Sequence, residues 1–264
     1  MSESFTEAAH LPQTDRDQSA VIAEAEGRAT LALLGALGDG DWRRPTDCGE
    51  WDVRTMVAHL VAQCEDNIHL GTMLRRELVG RRRYPGKIAL DAHMAVQIDD
   101  HAAEAGPALV ERFALLWPRA VRARRQRPSP MRRIKINAGI PGVPPLAVGY
   151  LLDVIYNRDL WMHRIDLARA AGLQITIGDH DRQIVEQVIR DLALAWSAAP
   201  VVLELAGPGG GSWLIGSGEP TAVVRTDTVA YMRALSGRDD DVPLELVSGT
   251  EAALTVVRQA KVVF

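Results

Sequence analysis

The segment from Gly149 to Gly172 puts ionisable side chains on a helical face that is otherwise apolar. On a 3.6-residue period, Leu152, Ile155, Asp159, Met162, His163, Asp166 and Ala170 share one face. Burying an unpaired carboxylate is costly, so Asp159 needs a partner there. Asp159 and His163 stand at i and i+4, so both side chains reach one point. Such a pair on one helix is half of a metal site.

The other half has to come from elsewhere in the chain, and His59 is the best candidate. In Cys48-Gly49-Glu50-Trp51-Asp52-Val53, a turn carrying Trp51 leads into a helix with Asp52 as its N-cap. The apolar stripe of that helix is Met56, Leu60, Cys64 and Asn67, with Val53 and Val57 beside it. His59 lies at the flank of the stripe and can face the interior near one end. A lone histidine of this kind is more often a satisfied core residue, but the Asp159/His163 pair turns the reading toward a ligand. Two imidazoles and a carboxylate suit zinc or another divalent first-row ion, and three protein ligands leave a position open, as catalytic sites do.

Gly49-x-Trp51-x-Val53-x5-His59-Leu60, followed about a hundred residues later by Asp159-x3-His163, resembles the pattern of the DinB-like enzymes. More narrowly, it is similar to the mycothiol-dependent maleylpyruvate isomerase family. The resemblance spans nearly the whole chain. It implies an α+β multidomain protein, with an N-terminal DinB-like four-helix bundle and a small C-terminal α+β domain. It also implies a divalent metal, zinc first, on His59, Asp159 and His163, and mycothiol or another low-molecular-weight thiol as cofactor. In such an enzyme the metal-activated thiolate adds to a cis double bond, the single bond rotates, and loss of the thiol gives the trans product. The same thiolate could instead displace a leaving group in an S-transferase. The chain departs from the pattern in one ligand: Asp159 stands where glutamate is common, which shortens the reach by one methylene. The turn Leu235-Ser236-Gly237-Arg238 also resembles the family's C-terminal domain and makes Arg238 the candidate for holding a substrate carboxylate, since guanidinium binds carboxylate in bidentate fashion. The other reading of Arg238 is an exposed residue after a helix.

A chain of 264 residues suggests one large or two modest domains, and 47 % hydrophobic residues suffice for a packed core. Residues 1–14 read as a flexible tail, 15–175 as the helical bundle and 178–264 as the α+β domain. Helices are expected from about Asp15 to Leu37, from Asp52 onward, from Ile88 to Ala105, from Pro107 to Arg127 around Pro118, and through the segment ending at Gly172. Gly80 to Gly86 reads as a basic loop, and residues 128–149 as a long loop rich in proline and glycine. After Gly178 the pattern changes. A helix capped by Asp179 precedes short β-type runs at 201–205, 213–215, 222–225 and 244–247, with helices at 228–235 and 250–259. Gly207 to Gly211 precede a strand and so make a hairpin turn, with no phosphate cradle.

A net charge of −4 argues against a polyanion binder, and no apolar run nears the ~20 residues of a membrane span. Only Cys48 and Cys64 are present, as suits a reducing cytoplasm. Cys48 reads as a packed turn residue. Between Arg119 and Lys135 stand eight basic residues and no acidic one. They are either a solvated helix end or an electropositive rim for an anionic substrate. Asp166 is either a partner for a histidine ligand's other nitrogen or a surface-pairing residue. His93 and His101 are expected to be exposed. The expected partner is a small, anionic molecule rather than nucleic acid or membrane, on a monomer or homodimer. Competing readings are a metal-dependent hydrolase that activates water and a non-catalytic metal- or ligand-binding protein.

Overall fold

The computed structural model describes residues 5–137 and 142–264. It separates two compact units: Asp15–Ile175, and the segment before Asp15 together with Thr176–Phe264. Each has its own core. The architecture is α+β, mostly helical with a mixed sheet in the second unit.

The chain opens on β1 (Thr6–Glu7) and a 3-10 turn (Ala8–His10) before entering the helical unit. There α1 (Arg16–Leu34) begins with a capping box: Asp15 Oδ1 accepts from Asp17 N at 2.8 Å and Gln18 N at 2.9 Å, and Gln18 Oε1 accepts from Asp15 N at 3.1 Å. Asp52 caps α2 (Val53–Ile68) by accepting from Thr55 N at 2.8 Å. Next come α3 (Leu70–Arg83), α4 (Ala89–Asp100), α5 (Gly106–Gln126) and α6 (Ser129–Arg132). A two-residue ladder of β2 (Lys135–Ile136) with β3 (Leu146–Ala147) leads to α7 (Val148–Tyr150), a π-helical turn (Leu151–Ile155) and α8 (Tyr156–Ala171). Gly172, at φ 68°, ends α8: its N–H donates to Arg169 O at 3.2 Å and that of Leu173 to Ala168 O at 2.8 Å.

The core of this unit gathers Ala23 and Leu34 of α1, Met56, Val57, Leu60 and Val61 of α2, Leu109, Phe113 and Trp117 of α5, and Leu160 and Leu167 of α8. Each such buried aliphatic or aromatic side chain contributes about 1.5–3 kcal/mol. Two contacts set how α1 meets its neighbours. Gly27 has no side chain because Trp117 occupies the space, its indole N–H donating to Ala23 O at 3.0 Å. Glu26 pairs with Arg164 of α8, both buried.

Several expectations change here. The stretch 70–83 is a helix, and Arg81, Arg82 and Arg83 of the expected loop form its last turn, where cations favour the carbonyl end. The loop at 128–149 holds α6, the β2–β3 ladder and α7's first residues, while its part at 138–141 lies outside the described residues. His101 is buried, held by Glu104 at 2.6 Å and Glu65 at 3.2 Å, and His93 meets Asp66 at 2.8 Å. Of the basic run, Arg124 and Arg132 are buried rather than solvated: Arg124 donates to Asn157 Oδ1 at 2.8 Å and Arg132 pairs with Asp153.

The second unit holds α9 (Asp179–Ala195), β4 (Val201–Ala206), β5 (Gly211–Ile215), β6 (Ala222–Asp227), α10 (Thr228–Leu235), β7 (Glu245–Ser248) and α11 (Glu251–Gln259). The cap of α9 is Gly178, whose N–H donates to Asp181 Oδ2 at 2.7 Å, so Asp179 is already helical. Strand order is β1-β5-β4-β6-β7. β4 and β5 form a hairpin closed by Gly207 and Gly209 at φ 87° and 76°, and β6 runs parallel to β4. β1 pairs parallel with β5, Thr6 opposite Trp213. The segment that follows is tied down as well: Gln187 takes Thr14 N at 3.1 Å and gives to Pro12 O at 2.9 Å, and Arg190 gives to Leu11 O at 3.0 Å. Residues 6–14 are therefore structural where a flexible tail was expected. No helix among the described residues is long and apolar enough to cross a membrane.

Candidate metal centre

α2 and α8 bring His59, Asp159 and His163 together, with one ligand-type atom of each inside 4.8 Å of the others. His163 Nε2 lies 3.3 Å from Asp159 Oδ1 and His59 Nε2 lies 4.0 Å from Asp159 Oδ2. The imidazoles meet edge to face at 5.4 Å, and the Trp51 ring lies 5.0 Å from His59 and 6.0 Å from His163. Both histidines are 4 % exposed, while the Asp159 side chain keeps 22 % of its surface. The three side chains thus form a cluster beside the Trp51 indole, with Asp159 the most exposed of them.

Each donor has an outer partner. Gln63, one turn beyond His59 on α2, donates to Asp159 Oδ2 at 2.8 Å. His59 Nδ1 contacts Gln97 Oε1 at 2.8 Å. On the far side of His163, Nδ1 lies 3.5 Å from Asp166 Oδ2, without a hydrogen bond among the described residues, and Cys48 completes a tight His163/Asp166/Cys48 group. Asp166 is wholly buried, which removes the surface-pairing reading. Cys48 is half-buried in the turn before α2, its N–H donating to Thr46 Oγ1 at 3.2 Å.

The electrostatics differ between the two imidazoles. Burial, aided by the neighbouring His163, lowers His59 to about 4 against the pull of Asp159, so its ring is neutral at pH 7. Burial also works against charge on His163, but Asp159 and Asp166 outweigh it and raise the group to about 9. For Asp159, burial opposes ionisation; His163, His59 and the Gln63 hydrogen bond override it and hold the carboxyl well below its ordinary range. These residues could hold a dication, which would meet one anion and one neutral ring and would require His163 to give up its proton.

Arg238 belongs to the other unit. There Gly237 at φ 79° ends α10 in a Schellman turn, with Gly237 N to Ala234 O at 3.1 Å and Arg238 N to Arg233 O at 3.0 Å; Arg238 is half-buried. Sequence reasoning missed Gln63 and Gln97. Gln63 carried a signal, a polar residue four after His59. Gln97 carried none, since it reaches the site from another helix.

The family profile described as the mycothiol maleylpyruvate isomerase N-terminal domain matches residues 23–168. No curated protein matches the sequence. Among solved structures, the crystal structure of the mycothiol-dependent maleylpyruvate isomerase superposes with a TM-score of 0.56 at 15 % identity, covering 93 % of this chain and 97 % of that one. A histidine-to-alanine variant of that isomerase gives 0.56 at 14 % identity with the same coverage. At such identities the likeness is one of fold. The profile spans more than half of the sequence and includes all three donors, and on that ground the chain belongs to the mycothiol maleylpyruvate isomerase N-terminal domain family.

Proposed function

We propose that this protein is a metal-dependent enzyme that uses a low-molecular-weight thiol, mycothiol, to isomerise a small anionic substrate of the maleylpyruvate type. Thiol S-transfer is the neighbouring activity of the same site. The observation that carries the reading is the convergence of His59, Asp159 and His163 within 4.8 Å, with both Nε2 atoms turned toward the carboxylate. The family and the fold likeness support the thiol.

The donor set fits a divalent ion of borderline softness, zinc above all, through two imidazole nitrogens and one carboxylate oxygen. A dication held there supplies the positive charge that keeps a thiol deprotonated, and the thiol supplies the nucleophile. The chain's own residues do the rest. Gln63 fixes one oxygen of Asp159, which makes up for its short side chain by holding it in place. Trp51 walls the imidazoles from water. Arg238 is assigned to a substrate carboxylate. In this reading α1, α2, α5 and α8 are the DinB-like four-helix bundle, residues 15–175 the metal-binding domain and 178–264 the smaller domain.

The test is metal analysis of the purified protein, followed by assay on maleylpyruvate with mycothiol varied at constant zinc. Turnover that requires both supports the reading. Full activity with every low-molecular-weight thiol removed would reject the thiol mechanism.

A further inference from the structure

Gln97 sits on α4 and is 3 % exposed. The two ends of its amide have different partners: Nε2 lies 2.6 Å from Asp66 Oδ2, and Oε1 lies 2.8 Å from His59 Nδ1. Asp66 Oδ1 in turn accepts from Arg76 at 2.8 Å, and its Oδ2 also meets His93 Nε2 at 2.8 Å. Guanidinium only donates, and an ionised carboxylate only accepts. The amide end that faces Asp66 is therefore the NH2, and the end that faces His59 is the oxygen. An oxygen there requires His59 Nδ1 to carry the proton, which leaves the Nε2 lone pair facing Asp159.

We propose that Gln97 is a positioning residue that sets the tautomer of His59, with the direction of its amide imposed by the Arg76–Asp66 ion pair. The inference rests on the metal reading of the site, since only the Nε2 lone pair can ligate an ion in the cluster. A neutral amide suits this task at His59. It orients the ring without drawing a second proton onto it, as a carboxylate in contact would. At His163 the arrangement is different: Asp166 faces Nδ1 directly, at 3.5 Å.

The test begins with the metal-free full chain. Long-range 1H–15N spectra distinguish the two imidazole tautomers, and wild-type His59 should be protonated at Nδ1. Asp66→Asn keeps the shape but reverses the logic. Arg76 still needs an acceptor, so the new amide turns its oxygen to Arg76 and its NH2 to Gln97. Gln97 then flips and donates to His59 Nδ1, which moves the proton to Nε2. Zinc affinity, read by competition with a chromophoric chelator, should fall by about 10–100-fold. Gln97→Leu should give mixed tautomers and a smaller loss. A wild-type His59 protonated at Nε2, or a folded Asp66→Asn with its tautomer and zinc affinity unchanged, would overturn the assignment. Where Asp66→Asn does not fold, a single unchanged tautomer in Gln97→Leu overturns it equally. A wild type that binds no divalent ion would remove the metal reading, while the metal-free spectra still decide the role of Gln97.

Discussion

Glu26 of α1 and Arg164 of α8 form a two-point ion pair, Oε1 to Nε at 2.7 Å and Oε2 to NH2 at 3.1 Å, with both side chains buried. Arg164 directly follows His163 in the chain. The pair therefore fixes the rotation of α8 about its own axis, and with it the direction in which His163 points. Removing one partner of a buried pair leaves an uncompensated charge, so Glu26→Gln should destabilise the protein by about 3–5 kcal/mol. Urea unfolding measures the loss. A value below about 1 kcal/mol would show that the pair is dispensable, as exposed pairs are.

His163→Ala removes one of three donors and should take zinc content from about one ion per chain to near zero, together with turnover. Arg238→Ala should leave zinc in place and raise KM for the substrate. Elemental analysis beside steady-state kinetics separates the two. Retained zinc in His163→Ala would contradict the ligand set.

Glu65 and His101 couple stability to pH. Burial raises the Glu65 carboxyl, but the His101 and Arg76 hydrogen bonds win and bring it down to about 2. Its folded pKa lies below the unfolded value of about 4.5, so its contribution is present above 4.5 and fades as pH falls toward 2. Burial lowers His101, while its bonds to Glu65 and Glu104 raise it above 6.5 overall; its contribution is full below 6.5 and lost at higher pH. The stability difference between wild type and Glu65→Gln should thus be greatest between pH 4.5 and 6.5, at about 1–3 kcal/mol. Denaturant melts across pH 3–9 give the profile. A difference that is flat across that range would exclude the coupling.

Gly27→Ala tests the crossing of α1 and α5. Alanine in a helix interior gains about 0.5–1 kcal/mol over glycine. Here the added Cβ would fall 2.0 Å from Trp117 Nε1, in a core where overpacking costs about 1–3 kcal/mol. The clash decides the sign: the variant should be less stable and show altered Trp117 emission. A stabilised variant would mean that the helices part without cost.

Much of the fold was legible because local chemistry wrote it. Asp52 caps the helix expected of it, the helix at 228–235 forms where expected, and the β-type runs after residue 200 became strands within one or two residues. α3 was missed because its sequence is dominated by arginine and interrupted by Gly71 and Gly80. Gly80 is explained only in three dimensions, where a Cβ would fall 2.7 Å from Ala92 O of α4.

The convergence of His59, Asp159 and His163 was legible as an i, i+4 pair on one helix plus a histidine on a helix that follows a patterned turn. The face drawn around them was only partly right. It assumed one helical period from Leu152 onward, but Leu151–Ile155 form a π-helical turn, which advances fewer degrees per residue. Leu152, inside that turn, is therefore shifted in phase relative to Asp159, while Ile155, four residues before Asp159, keeps its place on the face. His101 was misread because one of its two carboxylate partners, Glu65, is distant in sequence, although the nearer one, Glu104, stands only three residues on.

The pairing of Thr6 with Trp213 bears on the order in which the nascent chain folds. Residues 15–175 are contiguous, so the unit that carries the donors can fold as soon as it leaves the ribosome. The other unit has its first strand made before residues 15–175 and that strand's neighbour about two hundred residues later. Closing so long a loop is slow, and until β5 emerges β1 has no place to dock. The donor-bearing unit is therefore complete before the sheet can close.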